Sequence, residues 1–286
     1  MVQEKFSRGL KLAARVMLML ILTMTLTSII VMACSIPTSG NDIQMVADVA
    51  TPETTEPTVT LISEPILFSD ITYEPKYDIA LSKAYKDKVL DCIFELETAM
   101  ASGEYTDEAY MRMDHECSRL YSIIAYTESD IRHYETWEQE YYYAAKTWQF
   151  FMQQGFSAEV TSALIGNMMI ETSGGTLNLK PEVYSSGRGF YGLCQWSLYY
   201  KPFMANKSFE EQLNYLVEDM PKEFKNFGFC YKSDFTYEDF LAMEDPEQAA
   251  VAFAKVYERC GSGTYGLRKQ AAMKAYKYFV YGDYDE

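Results

Sequence analysis

Apolar residues recur at three- and four-residue steps through most of the chain beyond residue 80, and that period predicts helices. Between 81 and 140 one stripe is Val89, Cys92, Ile93, Leu96 and Met100. The segment "ASGEYTDEAY" breaks it and restarts it, with Thr106 as N-cap and Asp107 and Glu108 in the first turn. A helical hairpin is predicted. From 141 onward the texture is compact and punctuated by glycine. An apolar helix, "AAKTWQFFMQQG", ends at Gly155, and Ser157 caps the next. Ser208 and Glu211 form a capping-box pair ahead of Leu213, Leu216, Val217 and Met220. Asp245-Pro246 opens a further helix with Ala250, Phe253, Val256 and Tyr257 inside, and a last one carries Ala271, Ala275 and Phe279. Strand signals are few, so the fold class expected is mainly α.

The beginning of the chain obeys different rules. Lys5, Arg8, Lys11 and Arg15 precede an apolar run from Val16 to Ala33, an export pattern. The run is 18 residues long, at the lower edge of what spans a bilayer. It ends in Val31-Met32-Ala33-Cys34, which resembles a bacterial lipobox with Cys34 as the lipidated residue, although Met32 departs from the usual pattern. A cleaved signal peptide and a retained anchor are the alternatives. Each implies an extracytoplasmic protein, membrane-anchored or secreted. The next stretch, 35–80, is rich in Thr, Pro and Glu without helical period and reads as a disordered, flexible linker. The organisation expected is 1–34 signal or anchor, 35–80 linker, 81–140 helical hairpin and 141–286 catalytic domain.

A net charge of −16 over 286 residues argues against a nucleic-acid partner, which would need a basic footprint. Six cysteines are present, and lipidation of Cys34 would leave five, an odd number. Cys92 and Cys117 lie nearly symmetrically about the hairpin turn; a disulfide and two small core residues are equally good readings. The two histidines, His115 and His133, fall in the hairpin about 27 Å apart if helical. No Cys or carboxylate spacing completes a metal site with them, and none is near enough to make Cys194 a peptidase nucleophile. No metal or cofactor is expected.

The chemistry concentrates in two places. On the helix opened by Ser157, the stripe Val160, Leu164 and Met168 continues to Glu171, which stands just before Gly174-Gly175. An acid beside the core is partly desolvated, which raises its pKa and suits a general acid. The second is "SSGRGFYGLCQWS", whose glycines allow close approach of a ligand while Tyr191 and Trp196 offer ring faces and Gln195 an amide. Sugars bind to that mixture.

These segments, with "SFEEQLNYL" and "AVAFAKVYER", resemble the phage tail lysozyme family, whose pattern is G-N-x-x-x-E-S, then G-x-G-x-x-Q-W, then a Q-L helix and a Y-E-R helix. The likeness spans about Tyr142 to Tyr281 and implies a lysozyme-like helical domain. By position it implies Glu171 as catalytic acid, followed by Thr172 where the family has Ser, and Tyr191, Gly192, Gln195 and Trp196 as lining of a sugar cleft. The implied reaction cleaves the bond between N-acetylmuramic acid and N-acetylglucosamine in peptidoglycan glycan strands. A hydrolase normally adds a second carboxylate; Glu182 and Glu258 are the candidates, Glu258 serving equally as a structural ion-pair partner. Without one, a lytic transglycosylase results. A non-catalytic module that binds cell-wall glycan is the reading from another class. A tethered enzyme of this kind would suit an envelope-spanning secretion or conjugation machine as partner.

Overall fold

The computed structural model describes residues 60–185, 187 and 189–282. The signal segment, Cys34 and most of the linker lie outside the described residues. Within them, no helix is long and apolar enough to cross a membrane.

The chain is mainly helical. Helices α1 (Ile79–Ala101) and α2 (Asp107–Glu140) form the hairpin. Asp78 caps α1 through the Leu81 N–H, and Thr106 caps α2 through the Ala109 N–H. Their shared core is Val89, Ile93 and Leu96 against Met113, Cys117, Leu120 and Ile124. Four further helices surround a second core: α3 (Tyr142–Gln153), α4 (Ala158–Thr172), α5 (Phe209–Phe227) and α7 (Pro246–Phe253), with the short α6 (Tyr237–Leu241) between the last two. A final helix, α8 (Tyr265–Tyr276), lies along α4. Among the described residues the β-structure is one small antiparallel meander, β1 (Tyr184–Ser185), β2 (Phe190–Tyr191) and β3 (Trp196–Ser197), with Tyr184 opposite Tyr191 and Tyr191 opposite Trp196.

Helix α4 is buried nearly all round: Asn167 Nδ2 donates to the Ala163 and Ala250 carbonyls and Thr172 Oγ1 to the Met168 carbonyl, while Ser162 Oγ has no partner among the described residues. Gly166 lets α8 approach. A Cβ there would sit 2.4 Å from the Ala272 nitrogen and 2.6 Å from its Cα.

Two expectations need correction. Residues 60–78 are not a free linker: they lie against the hairpin. Ile62 bridges to Tyr105, Ile71 is buried, and Arg119 donates to the Phe68 and Ile71 carbonyls while pairing with Glu116. Ile66, Phe68 and the buried Ile71 pack on the hairpin core, and Arg119 satisfies main-chain carbonyls that would otherwise lose water. Cys92 and Cys117 are free thiols. Cys117 is buried in the hairpin core, and Cys92 packs half-buried against the same cluster, so both serve as small apolar residues of the hairpin.

Candidate active site

Glu171 stands in the last turn of α4, which the Ser173 N–H closes onto the Met169 carbonyl and the left-handed glycines Gly174 and Gly175 terminate. Its carboxylate is one-fifth exposed. It is paired with Arg268 of α8, a guanidinium that is itself almost wholly buried. Arg268 also donates to Asn167 Oδ1 at 2.7 Å and to Thr264 Oγ1 at 3.3 Å. So Asn167 and Glu171, one turn apart, are clamped by one side chain from the facing helix.

A second carboxyl meets this pair. After α7 the helix widens into a π turn, Ala254–Glu258, that ends with Arg259 in the left-handed region. A residue inserted into a helix rotates the side chains beyond it about the axis, and here the rotation brings Glu258 inward. The residue is half-buried, but its Oε1 is sealed from solvent and no donor among the described residues reaches it. Its carboxyl is near enough to Glu171 and to the Cys194 thiol for each to influence its ionisation. Burial pushes Glu258 well above the ordinary carboxylate range; the Glu171 carboxylate adds to that, and Arg268 opposes it. Burial first, then Glu258 and Glu171, hold the Cys194 thiol protonated too, so Cys194 is a donor here and not a nucleophile.

The other predicted site residues have structural occupations. Gln195 is left-handed, and its amide is used up inside the meander: Nε2 donates to the Val183 and Gly192 carbonyls, and Oε1 accepts from Ser185. Trp196 is 5% exposed. Its Nε1 donates to Tyr257 Oη at 2.9 Å, Tyr257 donates to Asp219 at 3.1 Å, and Lys201 completes the row on the same carboxylate oxygen. Gly192 is required because a Cβ would stand 2.5 Å from Gln212 Oε1, the acceptor for the Leu193 N–H. Tyr191 is half-buried beside Glu182, an exposed turn residue. Of the two second-carboxylate candidates, Glu258 is the one brought to Glu171. Groups of three or more metal-ligating side chains are absent among the described residues, and two surface concavities, one along Phe224, Phe235 and Tyr237 and one along Tyr134, Trp137 and Phe279, have neither carboxyl in their lining.

Arg268, Asn167 and the Tyr257–Asp219–Lys201 row are absent from the sequence-based site. Arg268 did leave a signal: it is in phase with Ala271, Ala272 and Ala275, so a cation occupies the buried face of α8.

The geometry joins an acid at a helix end, a meander carrying the Gly-x-x-Gln-Trp segment, and helices that supply the polar struts between them. No curated protein and no solved structure matches the chain significantly. The family model described as phage tail lysozyme matches residues 143–279, a span that contains α4, the meander and the π turn bearing Glu258. The match covers just under half of the chain and supports a lysozyme-like, peptidoglycan-cleaving glycosidase domain over that segment.

Proposed function

We propose that the protein cleaves the N-acetylmuramic acid to N-acetylglucosamine bond of peptidoglycan, with Glu171 as the general acid, on the outer side of the cytoplasmic membrane to which its N-terminus directs it. The observation that carries the reading is the surroundings of Glu171. A partly exposed carboxyl ends a buried helix, clamped by Arg268 and facing a second carboxyl whose proton affinity burial raises.

The burial of Glu258 favours the lytic transglycosylase form. A hydrolase needs its second carboxyl across the scissile bond, open to water or to the anomeric carbon. Glu258 Oε1 is sealed from solvent, which does not suit it to activate water. In this reading Glu171 protonates the leaving oxygen and the muramic acid's own hydroxyl closes on the anomeric carbon. Purified protein and Glu171→Gln are compared on isolated peptidoglycan, with products read by mass spectrometry. Anhydro-muramic ends from wild type alone are expected. Reducing ends return the protein to the hydrolases, equal release by both proteins removes Glu171 as acid, and glycan binding without release leaves a non-catalytic module.

A further inference from the structure

The inner carboxyl invites a more specific conclusion, which rests on Glu171 being the acid. We propose that Glu258 is a positioning residue for Glu171: the two share a single proton, which Glu258 holds at rest and passes to Glu171 as the glycosidic bond breaks.

Three features of the geometry support this. Two carboxylates have no hydrogen between them, so the Glu171–Glu258 approach makes a bond when one of them is a carboxylic acid. Glu258 is the one sealed from water, with an oxygen that no donor among the described residues reaches. A buried, unpaired carboxylate is among the most costly groups a fold can hold, whereas a neutral carboxyl is tolerated. Arg268 supplies one positive charge to the site and directs it at Glu171, which allows one negative charge and no more. The surrounding elements fit that count. Cys194, from the meander, is a buried thiol that burial holds in its neutral form and so brings no charge. On α5, Asp219 and Glu223 face the π turn but are taken by Tyr257, Lys201 and Arg259. From the turn after α5, Cys230 adds an exposed thiol.

The step balances. The Glu258 hydroxyl proton crosses to the Glu171 carboxylate and from there to the leaving oxygen, which takes the glycosidic C–O electron pair, so that one proton in all is spent. The attacking hydroxyl loses its own proton as the new C–O bond forms, and the pair regains it. At no point does the site need an external acid.

The test is the pH profile of peptidoglycan cleavage for the full chain, wild type against Glu258→Gln and Glu258→Asp. Glutamine keeps size and neutrality but cannot release a proton, and it removes the repulsion that keeps the shared proton bound. The alkaline limb of kcat should move down by about one pH unit or more in Glu258→Gln, with KM unchanged. Glu258→Asp should restore part of it. A uniform loss of kcat across pH, with the limb unmoved, would mean that Glu258 is only packing and would overturn the proposal. Infrared spectroscopy gives a readout independent of cleavage. Wild type should show a protonated-carboxyl band at neutral pH that Glu258→Gln lacks, and absence of the band in folded wild type overturns the proposal by itself. If wild type cleaves no glycan, the function above fails, and the band still decides whether Glu258 holds the proton.

Discussion

Gly166→Ala tests the helix contact on which the site depends. The added methyl would stand 2.4, 2.6 and 2.9 Å from Ala272 N, Cα and Cβ, where ordinary contact begins at 3.4 Å. Two of those atoms are backbone, so no rotamer change relieves the clash and α4 and α8 must separate by about 1 Å. Overpacking of this kind costs about 1–3 kcal/mol. The same shift stretches the 2.7 Å Arg268–Asn167 bond past hydrogen-bonding range and leaves buried polar groups short, another ~1–3 kcal/mol. Alanine's better helix propensity offsets about 1 kcal/mol. The net expectation is a loss of roughly 3 kcal/mol, which for a domain of this size lowers Tm by about 6–12 °C. Thermal unfolding by circular dichroism measures it, with peptidoglycan release at a temperature where both proteins are folded. Release should fall as well, since Glu171 loses its clamp. Ala272→Gly should rescue little, because the nearest obstructing atoms remain. A Gly166→Ala protein as stable as wild type, or more so, would refute the reasoning: propensity alone would then govern the site.

Trp196→Phe keeps a ring and removes the donor to Tyr257; a stability loss of about 1–2 kcal/mol with unchanged KM is expected from denaturant titration and kinetics, and a raised KM at unchanged stability would make Trp196 a sugar platform after all. Glu258 also makes a stability prediction. Its folded pKa lies well above the ordinary 4.5, so the folded state holds a proton that the unfolded chain gives up. That contribution is complete below about pH 4.5 and is lost as pH rises toward the folded value, by up to ~1.4 kcal/mol per unit. Denaturant midpoints across pH 4–8 should therefore fall more steeply for wild type than for Glu258→Gln; parallel curves would show that Glu258 ionises freely.

Local signals in the sequence located what local physics determines. Ser157, Ser208, Asp245 and Thr106 cap the helices they were expected to cap, because a capping side chain needs only the next three residues. Glu171 was legible from its phase on α4. Its partner was not, since Arg268 is 97 residues away and its role depends on the α4–α8 crossing. The inward turn of Glu258 needed a π turn, which has no local residue code. Gln195 and Trp196 admit two readings, since an amide and an indole suit a ligand and a buried strut equally well, and the partners that the fold gives them come from distant residues that no local pattern announces. Residues 60–78 lacked period, and period was the criterion, so their apolar content was read as linker.

One residue, Tyr141, separates α2 from α3. The joint is braced on both sides: Glu138 binds Lys146 and Gln149, Glu140 accepts from Tyr278 Oη, and Trp137 and Trp148 both pack on Phe279. Helix α2 spans 34 residues, about 51 Å. Such an arm suits a lever more than a leash: a partner that grips the hairpin tip would hold the helices that frame Glu171 at a distance set by the length of α2.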